Sequence, residues 1–338
     1  MTIKKALTFR ASSIGDCLMG KYLLDNIHSQ FPNARLGIVV ASRGEMIRDL
    51  LAQYKWIEVI EVNRYSPAAL LQLWWKWRGS DFVVTQYAGK PGGAFSFTSK
   101  IFARLIAKKH GLVGFTDAFR WNSFLYDALV PFCPDVAPAE LERRAIEKMG
   151  VAISVPYPTI VHKPQSEALS RFSLTSGGYV LVHLFSGSKK RGLSPERKRS
   201  LAASLVQTLP QNIEIVLTGT ASEKEEALMV AQGTRAKVIA QKTTLQEMMS
   251  LISQSRGVVA VDTGVAHIAA QMHKSVVVLS TCLGAHWWVE GQYGPDTSAG
   301  VITNKAACGG EHDLVDYPPC INRTNLVISI GGDGLTFK

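Results

Sequence analysis

The chain has 338 residues, of which 46% are hydrophobic and 19% charged. That composition excludes a disordered chain and provides for two cores of about 150 residues each. Its formal charge is +10, and residues 1–150 carry 20 Lys/Arg against 13 Asp/Glu; this suits an anionic partner, while no zinc-finger, RNP or basic-zipper pattern points to nucleic acid.

In chain order, KALTFR predicts a first strand. After a polar turn, GDCLMGKYLLDNIHSQF shows helical spacing at Leu18, Tyr22, Leu23 and Ile27. ARLGIVVAS reads as a strand, EMIRDLLAQY as a helix and IEVIEV as a strand; LLQLWWKW then leads to the strand DFVVTQY. The strands are near-continuous apolar runs, as in a parallel sheet buried on both faces. A second series starts near residue 179 with YVLVHLF, PERKRSLAASLVQTL, IEIVLTG, SEKEEALMVAQ and KVIA. It continues through LQEMMSLISQS, GVVAVD, VAHIAAQM and SVVVLS. The Pro- and Ser-rich stretch between the two series, residues 151–178, reads as a linker. The expectation is an α/β protein with two doubly wound, Rossmann-like domains, 1–160 and 161–338, facing across a cleft, with the C-terminal tail free to pack back on the first. Ligands bind outside the carboxyl ends of such strands.

Four turns at predicted strand ends carry chemistry. In AVDTGVAHIAAQ, the backbone N–H groups of Thr263, Gly264 and Val265 open a helix and lack intrahelical partners. A diphosphate suits that position, and Gly264 lets it approach the backbone. Asp262 repels phosphate and so is expected to hold sugar hydroxyls, with His267 one turn on. The plainer alternative is that Asp262 caps the helix and His267 is packed. In RASSIGDCLMG, Arg10, Ser12 and Ser13 precede Asp16, which is placed to act as a general base or as a helix cap. In HLFSGSKKRGLSPER, Ser186 offers a small donor, and the Lys189–Arg191 cluster can neutralise a departing diphosphate or simply be solvated. In LTGTASEKEEA, Glu223 suits a helix start and can also accept from a ribose. The nicotinamide fingerprint GxGxxG is missing, as are HExxH, a Walker loop and GxSxG. With no acidic pair for a divalent ion, no cofactor and no metal are expected.

Taken together, these turns resemble bacterial heptosyltransferases of glycosyltransferase family 9, which have the GT-B fold. The resemblance rests on FRASSIGDCLMGKYLLDNIHSQFPNARLGIVV, DFVVTQY with GLVGF, HLFSGSKKRGLSPE, VLTGTASEKEEA, VDTGVAHIAAQMHKSVVVLS and GQYGP. It implies a metal-independent inverting transferase. The donor is a nucleoside-diphosphate sugar, typically ADP-heptose, on the second domain; the acceptor is an anionic lipopolysaccharide core sugar on the first. By the same resemblance Asp16 falls on the catalytic base, Lys190 on the phosphate-facing lysine and Ser186 on a phosphate-contacting hydroxyl. Glu223 falls on the ribose ligand, Asp262 on the donor-sugar ligand, and Thr263 and Gly264 on the diphosphate amides; Thr243 lies near the adenine. Two stretches depart from the family pattern. Lys190-Arg191 is followed by Gly-Leu-Ser-Pro rather than Trp-Pro, and QYAGKPGG replaces a D-x-x-G element. A transferase using another nucleotide sugar or a protein acceptor, and a non-catalytic sugar-binding protein, are the alternatives.

No apolar run reaches the length of about 18 residues needed to span a bilayer. MTIKKALTFR lacks a signal peptide's apolar region, so a cytoplasmic protein is expected. The tryptophans of LLQLWWKWRG, beside Lys76 and Arg78, point to peripheral contact with the inner membrane or to a core-packed helix with one exposed Trp. The five cysteines, Cys17, Cys133, Cys282, Cys308 and Cys320, contain no CxxC pair and are expected as free thiols.

Overall fold

The computed structural model describes residues 2–88, 93–133, 135–281, 285–288, 291–295, 299–303, 316–322, 328–331 and 334–337. It divides into two compact units, Met1–Pro158 and Thr159–Lys338.

The first unit runs β1 (Lys5–Phe9), α1 (Ile14–Gln30), β2 (Arg35–Val40), α2 (Gly44–Leu50), β3 (Ile57–Glu61), α3 (Pro67–Trp77) and β4 (Phe82–Thr85). It continues with α4 (Phe97–Ile106), β5 (Leu112–Phe115), α5 (Asn122–Leu125), β6 (Ala128–Val130) and α6 (Pro138–Lys148). The six strands form one sheet in the order β3-β2-β1-β4-β5-β6, with every pairing parallel. The apolar runs seen in the sequence are buried throughout β4 and β5, as strands covered on both faces must be. α3 is seated by Trp77, which is fully buried against β2; a Cβ on Gly37 would come within 2.8 Å of its ring. Of the neighbouring tryptophans, Trp74 is half-buried and Trp75 is 66% exposed. The helix is therefore core-packed and shows one exposed Trp.

A buried lysine fixes the chain that leads into α4. Asp117 accepts from Lys100 Nζ at 2.6 Å, from Asn122 Nδ2 at 2.7 Å, and from the amides of Phe95 and Phe119 at 2.9 Å each. Burial alone would push this carboxyl up, but those four donors outweigh it and hold its pKa below the usual value. A carboxyl depressed in the folded state contributes stability above its unfolded pKa, near 3.9, and loses it as pH falls through the lower folded value. Thermal unfolding followed from pH 6 to pH 2.5 should therefore show an acid-side drop, smaller in Asp117→Asn than in the parent chain.

The second unit runs α7 (Ser166–Arg171), β7 (Tyr179–His183), α8 (Pro195–Thr208), β8 (Glu214–Leu217), α9 (Lys224–Ala231), β9 (Lys237–Val238) and α10 (Leu245–Gln254). It continues with β10 (Gly257–Val261), α11 (Gly264–Gln271), β11 (Val276–Leu279), β12 (Ala299–Ile302), α12 (Pro319–Asn322), β13 (Ile328–Gly331) and β14 (Gly334–Phe337). Its parallel sheet has the order β12-β11-β10-β7-β8-β9. The stretch expected as a linker holds the division between the two units, and each part of it packs on its own unit. The amides of Ser154 and Val155 donate to Asn26 Oδ1, the Ile160 amide donates to the Gln271 carbonyl, and α7 buries Ala168 against its own unit. The hairpin β13–β14 seats Ile328 and Leu335 in the core of the second unit. Leu335 reaches Gly257, where a Cβ would come within 2.7 Å of it.

Cys17 and Cys133 are free thiols, and Cys320 is buried; burial raises the pKa of the Cys17 thiol and leaves it inert. Cys282 and Cys308 lie outside the described residues. Among the described residues no helix is long and apolar enough to cross a membrane, and no group of three or more His, Cys, Asp or Glu side chains is placed to hold a metal.

Candidate functional site

Each sheet reverses its winding direction once, and several of the predicted residues lie on the loops at those reversals. In the second unit the chain lays strands to one side of β7 as β8 and β9, and to the other as β10, β11 and β12. The loops leaving β7 and β10 therefore part company at the carboxyl edge, where such sheets bind ligands. The first loop carries Ser186 and a single 3-10 turn, Lys189–Arg191; the second carries Asp262 and Thr263 into α11.

Thr263 is the N-cap of α11 without a side-chain cap bond; its hydroxyl instead donates to the Val261 carbonyl at 3.2 Å. The amides of Gly264, Val265 and Ala266 form the helix's first turn, ahead of the first intrahelical donor, His267. Asp262 is not the cap. It is 8% exposed and accepts from Trp288 Nε1 at 3.3 Å, with His267 Nε2 at 3.5 Å from the same oxygen. His267 is packed, stacked on Trp288 at 4.6 Å between ring centroids, and its Nδ1 lies 3.2 Å from the Tyr293 hydroxyl. Burial alone would raise the Asp262 carboxyl, but the His267 bond and charge, the Arg191 guanidinium and the Trp288 N–H outweigh it and hold its pKa down. Of the plainer alternative for this turn, the packing of His267 holds and the capping by Asp262 does not.

The other predicted residues of this unit sit on the same edge. Ser186 Oγ accepts from the Ser188 amide at 3.3 Å, closing a small turn. Lys189 pairs with Asp316 at 3.6 Å, and Lys190 is exposed on the 3-10 turn. Glu223 closes a capping box, accepting from the Thr220 amide at 2.7 Å. Thr243 is half-buried, just before Thr244, the N-cap of α10.

The first unit repeats the arrangement. Its order reverses between β1 and β4. Ser13 is the N-cap of α1; its hydroxyl accepts from the Asp16 amide at 3.2 Å and donates to the Asp16 carboxylate. Asp16 is therefore a first-turn carboxylate and not the cap. Gln86, immediately after β4, bridges the reversal. Its carbonyl accepts from the Ala11 amide and its Nε2 donates to Asp16 Oδ1, each at 2.6 Å. Ser12 ties the β1 loop to the β2 loop, accepting from the Ser42 amide at 3.0 Å. Arg10 is not an open cation. Its guanidinium is fully buried in a two-pronged bond to Glu142 of α6, one arm at 2.8 Å, and its Nε donates to Thr8 Oγ1 at 2.7 Å. Burial would lower its pKa, but the Glu142 charge and hydrogen bonds keep it above its ordinary value.

Sequence reading missed Gln86, Trp288, Tyr293 and Glu142, and took Arg191 only as part of the Lys189–Arg191 cluster. Only Glu142 left a signal: a carboxylate on the apolar spacing of α6, between buried Leu141 and Ala145.

Two parallel, doubly wound sheets with polar turns at both reversals define an α/β protein of the GT-B type. Residues 163–281 match the family model for glycosyltransferase family 9 (heptosyltransferase), and the resemblance read from the motifs is shown over that segment. The chain is similar in structure to a glycosyltransferase family 9 protein from Veillonella parvula DSM 2008, at 16% identity and TM-score 0.68, covering 89% of this chain and 86% of that one. It is similar to E. coli ADP-heptose lps heptosyltransferase II at 18% identity and TM-score 0.64, covering 88% and 90%. The same holds for E. coli heptosyltransferase WaaC with ADP, at 19% identity and TM-score 0.63, covering 88% and 93%. At these identities the likeness is one of fold. A search of curated protein sequences returned no match.

Proposed function

We propose that this protein is an inverting glycosyltransferase that moves heptose from ADP-heptose to a sugar hydroxyl of an anionic lipopolysaccharide-core glycolipid. One observation carries the reading. The first-turn amides of α11 lie at the reversal of the second sheet, beside the buried carboxylate of Asp262, and the adjoining β7 loop carries Lys189–Arg191. Amides and a guanidinium suit a diphosphate, and a buried carboxylate suits the hydroxyls of the sugar next to it. In this reading the second unit holds the donor. Thr263, Gly264 and Val265 meet the diphosphate with Ser186 and Lys190, Glu223 takes the ribose, Thr243 lies by the adenine, and His267 fixes Asp262.

The first unit presents the acceptor, with Ser12 and Ser13 near the incoming hydroxyl and Arg10 as a rigid wall. Asp16 takes the hydroxyl proton, and the oxygen attacks the anomeric carbon as its bond to the diphosphate breaks. ADP leaves, its growing charge met by Lys190, Arg191 and the α11 amides. Because those groups already supply positive charge, the reaction is read as metal-independent, and a chelator should leave its rate unchanged. In this reading the protein works in the cytoplasm at the inner face of an anionic membrane, a surface that its basic first half suits.

Mass spectrometry of the products from ADP-heptose and a truncated core oligosaccharide tests the reading. A heptose-mass addition supports it. Hydrolysis alone, or stabilisation by UDP- or GDP-sugars rather than ADP-heptose in a thermal-shift screen, contradicts it. Asp262→Ala should weaken donor binding by about 10- to 150-fold in a calorimetric titration, the range for losing a charged hydrogen bond.

A further inference from the structure

α3 has the sequence PAALLQLWWKW, with one charged residue in eleven. Leu73 and Trp77 face the core, which accounts for one side of it. A second apolar row, Pro67, Leu70, Leu71 and Trp74, follows the i, i+3, i+4, i+7 spacing of one helix face. It looks across to Phe102 and Leu105 of α4, and these six side chains line a groove of about 550 Å³. Leu71 and Leu105 are 62% and 55% exposed. A groove of that size and lining is unusual on a surface that nothing covers.

The groove does not end blindly. Leu70 and Phe102 also line a second cavity of about 200 Å³, at the carboxyl edge of the first sheet. There polar side chains, Arg10, Ser12, Arg64 and Ser96 among them, join the apolar walls. Ser12 stands next to Ser13, the residue that bonds the Asp16 carboxylate. The groove between the two helices thus shares the walls Leu70 and Phe102 with a cavity at the edge that carries the proposed base.

Cations flank it. Arg64 stacks on Tyr65, and Arg78 lies over the Trp75 ring at 4.1 Å. Neither pairs with a carboxylate among the described residues. The two helices end side by side, joined by a bridge from Ser80 to Ala107, which brings the exposed Arg78 near Lys108 and Lys109. Lys108 is paired with Asp81.

We infer that the groove between α3 and α4 holds one alkyl chain of an amphiphilic acceptor whose anionic head group lies in the adjoining cavity. The inference rests on the proposed transferase reading only for the word acceptor. The chain site itself stands on the groove, the walls it shares with the adjoining cavity and the charge around it. Packing a chain there would orient the head group toward Asp16, so the lipid part of the acceptor is recognised by the protein and not merely left in the membrane.

The test uses the full chain without donor, titrated with decyl phosphate and with hexyl phosphate below their micelle-forming concentrations and read by tryptophan fluorescence. Each buried methylene should tighten binding about fourfold, so decyl should exceed hexyl by at least 100-fold. Leu71→Gln and Leu105→Gln, both at exposed positions, should each weaken decyl phosphate at least tenfold. Trp75→Ser, outside the groove, should not. A chain-length effect below tenfold in the parent chain overturns the inference whatever the variants do, as does unchanged affinity in both variants. Binding to vesicles of phosphatidylcholine and phosphatidylglycerol that Trp75→Ser abolishes, with no decyl phosphate bound, also overturns it in favour of simple surface adsorption. If the chain binds but no heptose is transferred, the transferase reading fails and the chain site stands. If a chainless acceptor turns over with the same KM as a chain-bearing one and decyl phosphate does not bind, the reverse holds.

Discussion

Replacing Asp16 by Asn should lower turnover by about 10²- to 10⁴-fold, the range for removing a positioned base, and leave ADP-heptose affinity within about twofold. The substitution keeps the side chain's shape and an oxygen able to accept from Ser13 or Gln86, so the α1 N-terminus should stay folded. What it removes is the negative charge that takes the proton. Asp16 belongs to the first unit, so a donor held by the second should not sense the change. Single-turnover kinetics with ADP-heptose, beside a calorimetric titration of ADP, separate the two quantities. Parent-like turnover in the variant would falsify the assignment of the base. Gln86→Glu provides a graded companion. It replaces the amide donor 2.6 Å from Asp16 by a second carboxylate, and like charges at that distance disfavour ionisation of both. Its pH–rate profile should shift to higher pH, whereas Gln86→Ala should move it little.

Glu142→Ala should destabilise the first unit by about 3–5 kcal/mol, the cost of leaving a buried partner charge unpaired. Both side chains of the Arg10–Glu142 pair are fully buried, so water cannot replace the lost carboxylate. Denaturant unfolding gives the value, and the double variant Arg10→Met/Glu142→Leu should recover most of it, because an apolar pair of similar bulk carries no unpaired charge. Space for the swap is tight: a Cβ on Gly20 would lie 2.9 Å from Arg10 Nε. If Glu142→Ala costs under about 1 kcal/mol, the pair is not what holds β1 to α6.

Much of this fold could be read from local signals. The alternation of apolar runs with helical spacing gave both parallel sheets, because buried parallel strands and amphipathic helices each leave a period in the sequence. The positions of Asp16, Ser186, Glu223 and Asp262 at strand ends followed from the same rhythm. Their partners did not. Gln86 reaches Asp16 across 70 residues, and Glu142 reaches Arg10 across 132. Trp288 stacks on His267 from a separate 3-10 turn. Such contacts depend on which strands become neighbours, and strand order is a property of the folded sheet that no local pattern carries. The Pro- and Ser-rich residues 151–178 do contain the division between the units, but their anchors, Asn26 in the first unit and Gln271 in the second, lie far off in sequence.

Within the basic run Lys189–Arg191, the Arg191 guanidinium adds to the His267 bond and charge in holding the Asp262 carboxyl down. Arg191→Ala should therefore cost more in donor binding than Lys189→Ala, whose ammonium faces Asp316.

The account depends on a diphosphate sitting on the first turn of α11. Amide hydrogen exchange of the full chain, with and without ADP-heptose, measures this directly. The predicted result is slowed exchange at residues 263–266 and 186–191, lost in Asp262→Ala at the same nucleotide concentration. Binding that protects other segments while leaving residues 263–266 unchanged would contradict it.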